Sequence, residues 1–92
     1  MEEIKALYRY NKDVMGEKFI IRKTREELIE LLFEISRFLD KECSNWQELY
    51  QEAQDVIITA YQVMMLAGEK GASSVSLEEK TNSVIKKIRS LK

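Results

Sequence analysis

The sequence predicts an all-α protein: a four-helix antiparallel bundle-type subunit that assembles into a helical dimer or tetramer. The chain of 92 residues contains no proline and only three glycines, so the residues that usually interrupt helices are scarce. Apolar residues make up 45% of the chain and charged residues 34%, which is typical of amphipathic helices with wide apolar faces. Because so short a domain buries a limited share of its surface, we expect another subunit to cover part of those faces.

The first helix is expected over residues 3–15. Its apolar residues recur at roughly helical spacing and are Ile4, Leu7, Tyr8 and Val14. Gly16 ends this helix, and residues 17–23 could be either extended or the beginning of the next helix. We therefore divide the single domain of 92 residues into an N-terminal helix with its connection, residues 1–22, and a core, residues 23–92.

The second helix is expected to begin at Thr24 and to run to about Lys41. Thr24 and Glu27 have the spacing of a capping box, with Thr24 as the N-cap and Glu27 at the third helical position. The apolar stripe of this helix consists of Leu28, Leu31, Leu32, Ile35, Phe38 and Leu39. Three acidic residues line one border of that stripe, namely Glu27, Glu30 and Glu34.

The third helix is expected to open at Ser44 and Asn45 and to run to about Ala67. From Ala53 onward it is apolar on nearly every side, which predicts that it is buried. Trp46 lies in its first turn.

The fourth helix is expected to follow a loop over residues 68–74 and to end near Leu91. Ser76 and Glu79 form a second capping box at its beginning. Its cationic residues lie on the side opposite the apolar stripe and are Lys80, Lys86, Lys87, Arg89 and Lys92.

Composition excludes several classes of function. Histidine is absent, which removes histidine-based acid–base chemistry, histidine-activated nucleophiles and most zinc sites. The net charge of −1 lacks the basic character of a nucleic-acid binder, so we expect no nucleic-acid partner. We expect a cytoplasmic protein without membrane contact, for three reasons. The chain starts with acidic residues, it has no apolar run long enough to span a membrane, and it contains a single cysteine, Cys43.

Two acidic pairs carry the strongest chemical signal in the chain. Glu27 and Glu30 lie three residues apart on the second helix, and Glu52 and Asp55 lie three residues apart on the third. Side chains at this spacing project from the same side of a helix, so two packed helices would gather four carboxylates. Because such a cluster is held most cheaply by hard divalent cations, the pairs predict a magnesium site that handles phosphates.

Each of these residues also has a purely structural interpretation. Glu27 is explained by the capping box alone, whereas Glu52 and Asp55 could be solvated or paired with Arg37 or a lysine. Trp46 and Tyr61 could stack on a nucleobase or simply pack in the core.

Beyond composition, residues 25–37 (REELIELLFEISR) followed by residues 50–58 (YQEAQDVII) resemble the MazG-like all-α nucleoside triphosphate pyrophosphohydrolases. That superfamily is marked by ExxE, a variable linker and ExxD. Residues 80–88 (KTNSVIKKI) are similar to its last helix, so the resemblance covers about residues 23–92. Gln51, Gln54 and Val84 depart from residues common in relatives, and these departures concern the substrate more than the metal.

The resemblance implies an activity and a set of site residues. Glu27, Glu30, Glu52 and Asp55 would be catalytic and would bind Mg²⁺. Water would attack the α-phosphorus of a nucleoside triphosphate, releasing a nucleoside monophosphate and pyrophosphate. The enzyme would be a homodimer or homotetramer. Substrate contacts are expected from Lys23, Asn82, Lys86, Lys87, Trp46 and Tyr61.

Two other functions remain open at this point. Lys23 with Glu26 and Glu27 resembles relatives that cleave phosphoribosyl-ATP, which share the acidic arrangement. Alternatively, the chain could be a non-catalytic helical oligomer that acts as an adaptor or regulator, with its apolar stripes burying the helix of a partner. The direction of the carboxylates discriminates between these classes, because an adaptor would carry them outward and far apart.

Overall fold

The computed structural model describes residues 1–43, 45–73 and 75–91, and this part of the chain is entirely helical apart from its turns. Four α-helices and one π-helical turn follow one another, which confirms the predicted all-α class and number of helices. In chain order they are α1 (Glu2–Tyr10), the π-helical turn (Asn11–Met15), α2 (Glu17–Leu39), α3 (Trp46–Glu69) and α4 (Leu77–Ser90).

The N-terminal segment breaks at Gly16, as the sequence predicts. Gly16 has φ 93° and ψ 164°, a backbone conformation that is open essentially only to glycine. Its amide donates a 2.9 Å hydrogen bond to the carbonyl oxygen of Asn11, which closes the π-helical turn. The segment that was open to two interpretations is helical, since α2 begins directly after Gly16.

The expected N-cap at Thr24 is wrong. Thr24 is buried in the interior of α2, and its hydroxyl donates to the carbonyl oxygens of Ile20 at 2.9 Å and Thr59 at 3.2 Å. No helix-breaking residue separates Glu17 from Thr24, and burial of Ile20 favours continuing the helix through this segment. The capping explanation for Glu27 therefore falls away.

The beginnings of the last two helices agree with the sequence. The side chain of Asn45 accepts a 2.9 Å hydrogen bond from the amide of Glu48 at the start of α3. Ser76 accepts a 3.1 Å hydrogen bond from the amide of Glu79 at the start of α4. The expectations that involve Ser44, Ser74 and Lys92 lie outside the described residues.

The helices α2 and α3 form an antiparallel hairpin against which the N-terminal segment packs. Among the described residues the buried apolar side chains are Tyr8, Ile20 and Leu66, one from each of α1, α2 and α3. Val63 and Met65 pack against this small core. The core lies towards the end of the hairpin that holds the N-terminus of α2, which leaves the other end without a buried apolar side chain.

Large apolar faces remain uncovered in the single chain. The expectation that α3 is buried on all sides is wrong for one subunit, because Ile57 is 59% exposed and Met64 is 53% exposed. Every described residue of α4 is exposed, so one chain does not complete the expected four-helix bundle. The reason is that the apolar stripes of α4 and of the outer sides of α2 and α3 have no facing helix within the subunit. None of the helices in the described ranges combines the length and apolar composition needed to cross a membrane.

Candidate metal centre

Three of the four predicted acidic residues meet where α2 faces α3. Glu27 of α2 and Glu52 and Asp55 of α3 each place a carboxylate oxygen within 4.8 Å of the others. We call these three residues the carboxylate cluster. The convergence follows from the antiparallel pairing of the two helices, which brings the buried Glu27 and the half-buried Glu52 face to face, with the exposed Asp55 one turn after Glu52.

The packing around Thr24 positions the carboxylate cluster. Thr24 precedes Glu27 by three residues and therefore lies on the same side of α2. Its hydrogen bond to the carbonyl of Thr59 joins α2 to α3 one turn away from Asp55. Thr59 in turn donates from its hydroxyl to the carbonyl oxygens of Asp55, at 3.2 Å, and Val56, at 3.1 Å. These contacts hold α2 and α3 together beside Glu27, which is only 6% exposed.

Two buried oxygens of the carboxylate cluster have no hydrogen-bond partner among the described residues. The Oε2 atoms of Glu27 and Glu52 are both buried, and neither has a hydrogen-bond partner among the described residues. The other oxygen of Glu27 lies 3.1 Å from the Nζ atom of Lys23. A buried carboxylate oxygen is costly without a partner, and oxygen is the ligand that Mg²⁺ prefers. The residues present therefore fit a hard divalent cation.

The electrostatics of the cluster favour the addition of positive charge. Burial raises the pKa of Glu52, and the nearby negative charges of Glu30, Asp55 and Glu27 raise it further. The pKa of Lys23 is raised chiefly by its hydrogen bond to Glu27, so this lysine remains a cation. One lysine, half-exposed to solvent, faces a group of mutually repelling carboxylates.

Glu30 is the predicted ligand that does not converge with the others. It is exposed on α2, and its carboxylate is not among the three that meet. Its charge nevertheless contributes to the raised pKa of Glu52, which places it in the electrostatic environment of the cluster. Its role as a ligand stays a prediction.

The predicted substrate-binding residues occupy three different places. Lys23 lies at the carboxylate cluster, as its contact with Glu27 indicates. Trp46 is 75% exposed at the start of α3, with its ring centroid 4.7 Å from that of Phe38, and Tyr61 is half-buried on the same helix. The remaining three are exposed on α4, which does not pack onto the cluster in a single chain; they are Asn82, Lys86 and Lys87.

A cleft that the sequence did not reveal adjoins the carboxylate cluster. Its volume is about 280 Å³, and Lys23 and Asp55 line it at the side of the cluster. We call it the side cleft; its other lining residues are Leu7, Asn11, Phe19, Ile58, Thr59 and Gln62. Gln62 could have been found from the sequence, since it is a polar residue within an apolar run and follows Asp55 by two helical turns. No sequence signal distinguishes Asn11.

Comparison of the chain with models of protein families, with curated proteins and with solved structures finds no match. The resemblance to the MazG-like enzymes therefore stays a prediction from the two acidic motifs, their spacing and the sequence of the last helix.

Proposed function

We propose that this protein is a Mg²⁺-dependent nucleoside triphosphate pyrophosphohydrolase, which converts a (d)NTP and water to a (d)NMP and pyrophosphate. The observation that carries the proposal is the convergence of Glu27, Glu52 and Asp55 within 4.8 Å, with buried oxygens that have no partner among the described residues. Glu27 is buried and Glu52 is half-buried where the two helices face each other, whereas Asp55 is exposed. The inward placement of two of the three carboxylates supports an enzyme over an adaptor. The exposed Cys43 fits a reducing compartment, and we expect the enzyme to work in the cytoplasm.

The residues of the carboxylate cluster have separate tasks in this proposal. Glu27 and Asp55 would hold the cation from opposite helices, with Glu30 as a further predicted ligand. Bound Mg²⁺ neutralises phosphate charge and lowers the pKa of a nearby water. Glu52, the third member of the carboxylate cluster, would accept a proton as the water oxygen bonds to the α-phosphorus. The anhydride bond to the β-phosphate breaks, and its electron pair leaves with pyrophosphate.

Lys23 links the carboxylate cluster to the substrate. Its Nζ atom lies 3.1 Å from Glu27 and 3.7 Å from Glu26, and the residue also lines the side cleft. A cation on Glu27 would repel this ammonium group towards the cleft. There it can contact a phosphate oxygen of the nucleotide.

A second copy of the chain is part of the proposal. The described residues bury three large apolar side chains, whereas Phe33 is 59% exposed, Leu32 63% and Leu39 72%. So little buried apolar area cannot offset the entropy of ordering about 90 residues. A homodimer or homotetramer would cover these faces. It would also give α4, with Asn82, Lys86 and Lys87, a surface on which to dock.

A pyrophosphate-release assay over canonical and modified (deoxy)nucleoside triphosphates tests the activity, with Mg²⁺ and with chelator. We expect release from one or a few nucleotides, abolished by chelator and reduced by at least about 100-fold in Glu27→Gln and Asp55→Asn, since each removes a charged ligand. Glu26→Gln is the matched control, because Glu26 neighbours Glu27 in sequence but lies outside the cluster. Full turnover in the cluster variants would contradict the assignment.

The competing function is a non-catalytic adaptor or regulator. The exposed apolar faces of α2, α3 and α4 favour it, because a partner helix could bury them as well as a second copy could. A folded oligomeric sample that releases no pyrophosphate from the nucleotide panel or from phosphoribosyl-ATP would make this the better assignment. Release from phosphoribosyl-ATP alone would keep the chemistry and change the substrate.

A further inference from the structure

The single chain exposes far more surface than a compact protein of its size. Its accessible surface is 7476 Å², whereas a compact monomer of 10.8 kDa exposes about 5,500 Å². Its radius of gyration of 15.8 Å likewise exceeds the value of about 12 Å expected for 92 residues. The excess is about 1,900 Å² per chain, and two such areas together fall within the ~2,000–5,000 Å² that obligate dimers bury.

Charge divides the chain into an acidic and a basic part. Nine acidic and only two basic residues lie between Glu26 and Asp55, which gives this stretch a net charge of −7. Among its described residues no apolar side chain is buried, and we call this stretch the acidic hairpin end. From Lys80 to Lys92 there are five basic and no acidic residues, a net charge of +5. Two acidic hairpin ends therefore repel each other, whereas the basic part of α4 is attracted to either of them.

Both parts also present apolar surface, and their lengths match. A groove of about 340 Å³ on α3 extends from the acidic hairpin end and is lined by Tyr50, Ala53, Gln54, Ile57 and Ile58. Tyr50 is 62% exposed and Ile57 is 59% exposed in the single chain. The helix α4 has 14 residues and is about 21 Å long, close to the length of α2 between Glu27 and Leu39. Its own apolar stripe is exposed and consists of Leu77, Val84, Ile85 and Ile88.

We propose that two copies of the chain exchange their last helices, so that α4 of each copy docks on the acidic hairpin end of the other. The apolar stripe of α4 packs along the groove on α3, and its basic side chains lie against the carboxylates at the rim. The exchange closes a two-fold dimer, since each copy offers one α4 and one acidic hairpin end. It rests on the second copy that the proposed function includes, but it requires neither metal nor hydrolysis.

Charge reversal in the full-length chain tests the exchange, with the mass measured by light scattering coupled to size-exclusion chromatography. One variant reverses α4 by combining Lys86→Glu, Lys87→Glu and Arg89→Glu. The other reverses three exposed residues of the acidic hairpin end outside the carboxylate cluster, by combining Glu26→Lys, Asp40→Lys and Glu48→Lys. We expect the wild type to be a dimer and each variant alone to be a monomer, because both docking contacts lose their charge complementarity.

Mixing the two variants is the decisive measurement. The mixture restores one unmodified contact, between the basic α4 of one variant and the acidic hairpin end of the other, so we expect it to form a heterodimer. The matched control combines Arg9→Glu, Lys18→Glu and Arg22→Glu. It reaches the same net charge as the α4 variant through exposed residues outside both docking surfaces, and it should remain a dimer.

The wild type alone can overturn the exchange, since a monomer would refute it without any variant. A dimer that survives reversal of the acidic hairpin end would also refute it, because α4 would then pair with something else. Circular dichroism checks that the variants fold, and folded variants that stay monomeric when mixed would refute it as well. Pyrophosphate release by a monomeric wild type would support the hydrolase and refute the exchange, whereas a heterodimer of variants with a wild type that releases none would do the reverse.

Discussion

At the scale of single residues, Glu52 bears the electrostatic cost of the carboxylate cluster. Its carboxylate is half-buried, and the carboxylates of Glu30, Asp55 and Glu27 all disfavour its ionisation. At neutral pH the repulsion lowers the free energy of unfolding, because the folded state holds together negative charges that are separated in the unfolded chain. A bound cation would recover that free energy.

The raised pKa of Glu52 predicts a definite pH dependence of stability in chelator. A carboxyl group whose pKa is higher in the folded state than its unfolded value of about 4.3 stabilises the fold by its protonated form. This stabilisation is complete below about pH 4.3 and is lost as the pH rises through the folded-state pKa. The free energy of unfolding of the wild type, minus that of Glu52→Gln, should therefore fall as the pH rises above about 4.3, until Glu52 is also ionised in the folded state. Denaturant titrations across this range measure it. A difference that stays flat or rises would show that Glu52 is not perturbed in the folded state.

Metal binding should be visible without any catalysis. We expect Mg²⁺ to stabilise the wild type, by about 2.7 kcal/mol at a concentration 100-fold above its dissociation constant. Glu27→Gln should abolish this increase because it removes the most buried ligand, and Glu26→Gln should retain it. Thermal unfolding with Mg²⁺ and with chelator provides the measurement. Equal stabilisation of both variants would place the cation elsewhere.

Thr24 shows why the local sequence misjudged the beginning of α2. The capping-box pattern is present, but the residue is buried seven positions into the helix and joins α2 to the carbonyl of Thr59. We expect Thr24→Val, which keeps the shape and removes the hydroxyl, to lower the free energy of unfolding by about 1 kcal/mol. If Thr24 were instead an N-cap outside the core, Thr24→Val would lower the free energy of unfolding by the same amount, but Thr24→Asp would be tolerated. Here Thr24→Asp should be far more destabilising, because it buries a charge.

At the scale of elements, Gly16 separates the N-terminal segment from α2. Its φ of 93° requires glycine, although no atom would obstruct an added Cβ. Gly16→Ala should therefore destabilise the fold by about 1–3 kcal/mol through backbone strain alone. Gly68→Ala is the matched control: Gly68 is helical in α3 with open space around it, so alanine should stabilise by about 0.5–1 kcal/mol. Chemical unfolding of both variants compares them, and equal effects would contradict the assigned conformation of Gly16.

At the scale of the whole molecule, the exposed apolar stripe of α4 predicts self-association. Ile85 is 41% exposed and Ile88 is 53% exposed, and neither has a facing helix in the single chain. We expect Ile85→Glu combined with Ile88→Glu to convert an oligomer to smaller species, measured by light scattering coupled to size-exclusion chromatography. Ser83→Glu on the same helix adds one charge without removing apolar surface and should leave the mass unchanged. A monomeric wild type would refute this prediction.

Local sequence patterns were sufficient to predict the helical class, the break at Gly16, the beginnings of α3 and α4, and the two acidic motifs. These features depend on local chemistry: backbone freedom at glycine, side-chain caps such as Asn45 and Ser76, and the spacing of residues along one helix.

Three other features depend on packing between helices: Thr24 lies inside a helix, Glu27 rather than Glu30 enters the carboxylate cluster, and Asn11 contacts Gln62. Asn11 and Gln62 lie 51 residues apart in the chain, so no local pattern can pair them. Their meeting depends on how α1, α2 and α3 pack, which is set by burial of Tyr8, Ile20 and Leu66 rather than by the propensity of any one segment.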